Sequence, residues 1–338
     1  MIYARIFFIS FFVCIAFIPI LKKIAVKLGI LDHPTSEIKT HTKARPYLGG
    51  VAIWLGFVVS LFVLRFFTNF ETGTLRNLRG ILVGGSLIML VGLIDDIHKL
   101  SFKTKFLWQI IAATIIILFN IKIKFISPSY IALILTYLWI VGITNAFNLI
   151  DVMDGLSSGV AFIALFSFFL INAPGKELYV NFASIALAGA CLGFLIYNFP
   201  PSSIFMGDAG SLFVGFVVVS ISLGTNYSVN TKVGVLTPIL IIAVPIFDTF
   251  YIMYKRYKRK QSMFLGSKDH FALRLAKMGW SKIKILGLIY ILTAFCGISA
   301  YIITRSNNQQ AVLLYTWIGI VCVLMAKILG TVKMHNEK

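Results

Sequence analysis

Residues 129–149 read SYIALILTYLWIVGITNAFNL, twenty-one residues without a charge, and run directly into IDVMDGLSSG at 150–159. A helix needs about 20 apolar residues to cross a hydrocarbon core of roughly 30 Å. The stretch is therefore a candidate membrane span with two acids just beyond its end. Working outward, similar runs lie near 2–21, 48–67, 80–94, 106–120, 156–173, 178–197, 210–226, 234–253, 284–303 and 311–329, about eleven in all. They predict an all-α polytopic membrane protein in which residues 1–338 form a single domain, with no room for a separate soluble one.

Composition agrees with lipid as the main solvent. The chain is 59% hydrophobic and 13% charged, with a mean hydropathy of +0.91. A membrane β-barrel would show segments of about ten alternating residues instead of continuous apolar runs. Cys14, Cys191, Cys296 and Cys322 are scattered among the runs without CxxC or metal-ligand spacing, and read as small core residues. Arg5 precedes the first run as in a signal peptide, but Lys22 and Lys23 follow it and no small-residue cleavage site is evident. The first run is expected to be a retained helix.

A net charge of +19 would suit a nucleic-acid partner, but the cations lie between spans, where the positive-inside rule accounts for them and no nucleic acid is implied. With the N-terminus outside, the inner loops 22–47, 95–105, 151–155, 198–209 and 254–283 and the C-terminal tail carry about twenty Lys and Arg, against about seven outside. This predicts an outside N-terminus and a cytoplasmic C-terminus. The same arrangement places every histidine and every acid except Glu71 and Glu177 at the inner side. Topology does not require that placement of acids, so the inner face has another use for carboxylates.

Four segments carry that use. GLIDDIHKL puts Asp95 and Asp96 side by side at the inner end of the third run. Adjacent carboxylates repel when partly desolvated, and a divalent ion relieves this; a solvated helix end paired with Lys99 or Lys103 would do so as well. NAFNLIDVMDGLSSG spaces Asn148, Asp151 and Asp154 three apart, roughly one helical face and so a strip of oxygen ligands; alternatively Asp154 caps the sixth helix. In NFPPSSIFMGDAGSLFVGF, prolines stop one helix, and Gly207, Asp208, Gly210 and Ser211 open another whose first amides suit phosphate. Asp208 is equally open to reading as a plain cap. The loop HTKARPYLGG supplies His41, Lys43 and Arg45 before Gly49 and Gly50. A fifth segment, 255–280, holds a basic run suited to anionic headgroups and then His270 and Arg274, four apart and on one face if helical. Oxygen ligands, cations and Gly-rich helix starts at one depth suit magnesium-dependent chemistry of phosphate compounds.

GGVAI, GLIDDIHKLSFKTKFLWQ, NAFNLIDVMDGLSSG and NFPPSSIFMGDAGSLFVGF resemble, in order and spacing, the cytoplasmic signatures of the polyprenyl-phosphate N-acetylhexosamine-1-phosphate transferases, over positions 41 to 275. The resemblance implies transfer of a sugar 1-phosphate from a UDP-N-acetylhexosamine to undecaprenyl phosphate at the inner membrane. UMP would be released, with Mg²⁺ as cofactor and Mn²⁺ as its substitute. Carried over, Asp208 is the main metal ligand, with Asp96 and Asp151. Asp95 and Asp96 activate or position the lipid phosphate. Asn148, Asp151 and Asp154 line the nucleotide and diphosphate region, with Lys43 and Arg45 among the substrate contacts. His270, among the catalytic residues, approaches the sugar diphosphate with Arg274.

The chain departs from the family's pattern at two places. His270-Phe271-Ala272-Leu273-Arg274-Leu275 keeps only the first His, the Arg and the Leu of HxHHRL, and Ala44 and Tyr47 replace a proline and an arginine of the first loop. Both bear on the sugar and leave the reaction type intact. The eleven spans and the lack of the pentapeptide branch's His-rich loop favour UDP-GlcNAc over UDP-MurNAc-pentapeptide or a modified UDP-HexNAc, starting a cell-envelope glycan. A homodimer is compatible with the resemblance. A transporter, the contrasting class, would place ionisable groups near the midplane between repeats, whereas here only Asp248 lies within a helix's inner half.

Overall fold

The computed structural model describes residues 1–32, 44–68, 73–173, 177–225, 227, 232–262, 269–332 and 334. Its helices are α1 (Ile2–Leu28), α2 (Gly49–Phe67), α3 (Thr74–His98), α4 (Phe102–Leu118), α5 (Ser129–Leu149), α6 (Leu156–Asn172), α7 (Leu178–Asn198), α8 (Gly207–Gly224), α9 (Thr237–Ile241), α10 (Ala243–Lys258), α11 (Phe271–Lys277), α12 (Lys282–Ile303) and α13 (Asn308–Gly330). Each of the eleven apolar runs is helical, the ninth in two pieces.

Among the described residues, eight helices are long and apolar enough to cross a membrane, or nine counting the bent pair Lys232–Ile241 and Ala243–Lys258. The other two expected runs fall in α4 and α6, which have 17 residues each. One feature corrects the sequence expectation: the protein is not purely α. Leu31–Asp32 (β1) pairs antiparallel with Arg45–Pro46 (β2), setting Asp32 opposite Arg45.

The bend of 74° between α9 and α10 follows Ile242. Pro245 has no N–H to give the carbonyl of Ile241, and its ring crowds that carbonyl, so the helix cannot continue straight. α10 therefore starts at the bend, and places Asp248 in its second turn.

α7 and α8 form the centre. In their spans 83% of residues are buried, against 11% in α13. Small residues make this possible, since lipid gives no hydrophobic drive between helices and close approach must. A side chain at Gly189 or Gly193 of α7 would strike the α1 backbone at Phe7 or Phe11. α8 packs against α2, α3, α5, α6 and α7. The outward faces carry exposed Phe8, Phe12, Phe62, Phe66, Leu313 and Ile320, as a lipid-facing surface does.

Candidate active site at the start of α8

The loop between α7 and α8 is laced to the segment leading into α2. Phe205 N donates to Pro46 O (2.8 Å), Gly49 N to Phe205 O (3.0 Å) and Gly50 N to Met206 O (2.9 Å). A Cβ at Gly50 would run into the backbone of Gly210, and one at Gly92 of α3 into the peptide joining Asp208 and Ala209. The glycines thus let α2 and α3 approach the first turn of α8 backbone to backbone. Gly207, at φ +69°, takes the left-handed conformation that opens this turn.

Asp96 reaches over from α3 to cap α8. Its Oδ1 accepts from Asp208 N (2.8 Å) and its Oδ2 from Ala209 N (3.1 Å). Free amides at a helix start favour a carboxylate, and here the carboxylate comes from another helix. The capping role considered for Asp208 belongs to Asp96 instead.

Asp208 is thereby turned toward α4 and α5. Its Oδ1 accepts from Asn148 Nδ2 (2.9 Å), which also donates to Ser211 Oγ (2.9 Å). Its Oδ2 accepts from Lys105 Nζ (3.1 Å), and the same ammonium donates to Asp95 Oδ2 (2.9 Å). Asp95 Oδ1 is held by Leu100 N (2.6 Å) at the end of α3. Lys105 was missed in the sequence, where Lys99 and Lys103 were weighed as partners of this motif.

The expected strip of Asn148, Asp151 and Asp154 does not form. α5 ends at Leu149, and Asp151 and Asp154 lie in the turn beyond it. Asp154, buried, is bound by Ser202 Oγ (2.9 Å) and Lys282 Nζ (3.2 Å), with Arg45 Nη1 at 3.6 Å. Arg45 also donates to Ser202 and lies over the Phe205 ring. Nor does Asp154 cap α6, whose first turn follows Gly155. Asp154 is instead a knot joining β2, the loop before α8 and the start of α12.

Asp151 is different. Among the described residues its carboxylate has no hydrogen-bond or ion-pair partner. Burial first, and then the charges of Asp208 and Asp154, push its pKa up to about 7. A carboxylate that holds a proton so firmly beside another carboxylate would be eased by a cation. The oxygen donors of Asp151 and Asp208 suit a hard divalent ion. Asp96 places both oxygens on the first amides of α8, as Asp208 places its own on Asn148 and Lys105. No group of three or more acids, histidines or cysteines forms a metal cage among the described residues.

His270 and Arg274 sit in a second group. His270 Nδ1 meets Asp248 Oδ2 at 2.6 Å, and Asp248 Oδ1 accepts from Phe271 N (2.8 Å). Arg274 follows one turn later but turns elsewhere. Fully buried, it donates to Asp269 Oδ1 (2.6 Å) and to the carbonyls of Leu329 (3.2 Å) and Val332 (2.6 Å). Arg259 grips the same Asp269 with both terminal nitrogens, at 2.7 and 3.1 Å. Part of the basic run thus pins its own loop. His41 and Lys43 lie outside the described residues.

Compared with known proteins, residues 78–226 match the family described as glycosyl transferase family 4. Over 98% of its length the chain is 35% identical to a probable undecaprenyl-phosphate N-acetylglucosaminyl 1-phosphate transferase of Bacillus subtilis, covering 92% of that protein. It is 31% identical to a decaprenyl-phosphate N-acetylglucosaminephosphotransferase of Mycobacterium tuberculosis, over 87% of this chain and 81% of the relative. With an undecaprenyl-phosphate alpha-N-acetylglucosaminyl 1-phosphate transferase of Escherichia coli it shares 24%, over 81% and 76%.

Proposed function

The chain belongs to glycosyl transferase family 4, and from that premise we propose that it transfers N-acetylglucosamine 1-phosphate from UDP-N-acetylglucosamine to undecaprenyl phosphate. UMP leaves, and the product starts a lipid-linked glycan of the cell envelope. The relatives' names supply the sugar and the acceptor. The observation that carries the chemistry is Lys105 clasped between Asp95 and Asp208 at the start of α8, with Asp151 unpartnered beside them.

An oxygen of the lipid phosphate attacks the phosphorus that bears the sugar. A new P–O bond forms as the bond from that phosphorus to the bridging oxygen breaks, and the electron pair departs with UMP. Two anions must meet, so positioning and charge compensation dominate the catalysis. Lys105 screens the approach, Asp95 orients it with the lipid phosphate, and Asn148 fixes the Asp208 carboxylate. Arg45 and Asp154 shape the nucleotide side of the cleft through Ser202 and Lys282, and Lys43, outside the described residues, is a substrate contact on the family resemblance alone. His270 meets the sugar diphosphate, and Arg274 holds the loop that carries it.

Mg²⁺ fits Asp208 and Asp151 better than the wider set that includes Asp96, because magnesium takes one or two carboxylates plus substrate phosphates in preference to a full protein cage. When bound, it withdraws charge from the diphosphate and the leaving UMP. We place the protein in the cytoplasmic membrane with its N-terminus outside and its C-terminus inside. α4, α6 and the bent pair cross with the eight longer helices.

The test is UMP release by detergent-purified protein given UDP-GlcNAc and undecaprenyl phosphate, titrated with Mg²⁺ after EDTA treatment. Metal-dependent release that Asp208→Asn abolishes supports the reading. Release unaffected by EDTA removes the metal from it, and no release from any UDP-N-acetylhexosamine overturns it.

A further inference from the structure

Asp248 has no part in the reaction as described above, yet it is buried in the second turn of α10. It is 1% exposed, and both carboxylate oxygens are engaged: Oδ1 with Phe271 N, Oδ2 with His270 Nδ1. His270 is itself 3% exposed, and Nδ1 is its one ring nitrogen with a partner among the described residues. A buried carboxylate on Nδ1 keeps a proton on that nitrogen and fixes the ring plane. Nε2 is left to accept a proton when the ring is neutral and to donate one when it is charged.

The placement follows from the fold. The break after Ile242 swings α10 away from α9, and α10 then packs against α5, the helix that carries Asn148. α11 begins directly after His270 and packs against α12 and α13. The two Asp248 bonds thus tie the short helix bearing His270 to the helix lying along α5. Arg259, Asp269 and Arg274 brace the same loop from its other side.

We propose that Asp248 is a positioning residue that acts through His270, fixing the imidazole by Nδ1 so that Nε2 is the atom presented to the donor's diphosphate. This rests on the transferase reading above. Asp248→Asn separates the two tasks of the side chain. The amide oxygen still accepts from Phe271 N, so the start of α11 stays capped. The amide nitrogen now faces Nδ1 as a donor, which moves the ring proton to Nε2.

The experiment is a double-mutant cycle read by UMP release: wild type, Asp248→Asn, His270→Gln and the pair, each with its melting temperature. Asp248→Asn is expected to lower kcat about tenfold to a hundredfold with little change in melting. In the His270→Gln background the same change should cost less than about twofold, because the residue it acts through is already gone. Equal losses in both backgrounds, or an Asp248→Asn protein that does not fold, would assign Asp248 to structure alone and overturn the proposal. A wild type that releases no UMP from any UDP-N-acetylhexosamine fails the transferase reading instead, so the two failures are told apart.

Discussion

Lys105 carries the densest charge pairing in the site, at 2.9 Å from Asp95 and 3.1 Å from Asp208. Removing it leaves two facing carboxylates unscreened. Lys105→Ala is expected to lower kcat about 100-fold to 1000-fold, the scale for a lost charge-stabilising donor, with partial recovery in Lys105→Arg; UMP release at saturating substrate measures it. Asp151 makes a second prediction. A carboxyl in the unfolded chain ionises near 4, whereas the folded one is pushed up to about 7. Between those values the folded state keeps a proton that the unfolded state has lost, so stability falls as pH rises through that window and stays lowered above it. Without metal, the melting temperature should drop between about pH 5 and about pH 8. Asp151→Asn should flatten the curve, and added Mg²⁺ should restore the wild type at the alkaline end. A pH-independent melting curve would contradict the placement of Asp151. The sequence pointed to Asp95, Asp96, Asn148 and Asp208, which the structure joins. It did not single out Lys105 from Lys99 and Lys103 of the same motif: the bond to Asp95 spans only ten positions but turns on where α4 starts, and the bond to Asp208 spans 103.

Among the elements, the start of α8 depends on neighbours without side chains. Gly50 and Gly92 touch its backbone directly. Gly92→Ala should push α3 and α8 apart, costing about 1–3 kcal/mol of stability as overpacking does and reducing kcat by displacing Asp96 from the helix amides. Thermal melting and UMP release together check this; an Ala variant with wild-type values would contradict the close approach. The helical spans themselves were legible, because an apolar run of some twenty residues has one solution in lipid. The spacing of Asn148, Asp151 and Asp154 misled because the helix was assumed to continue past Leu149, where the chain instead turns toward α6. The bend at Ile242 was likewise hidden, although Pro245 stands in the sequence as its cause.

For the molecule as a whole, two phosphate compounds of opposite solubility must meet at one membrane face, and the loops that join at the first turn of α8 build that meeting place. The orientation predicts that a cysteine replacing Lys258 reacts only with reagents reaching the cytoplasm, and one replacing Arg305 only from outside, in a background lacking the four native cysteines. The opposite pattern would invert the protein. The central claim is that the sugar travels with its phosphate. Donor labelled with ³²P on the sugar-bearing phosphate is incubated with undecaprenyl phosphate and the purified protein, and the lipid and aqueous products are separated. The account predicts label in the lipid diphosphate and unlabelled UMP in the water, in equal amounts. Labelled UDP in the water with sugar alone on the lipid would contradict it.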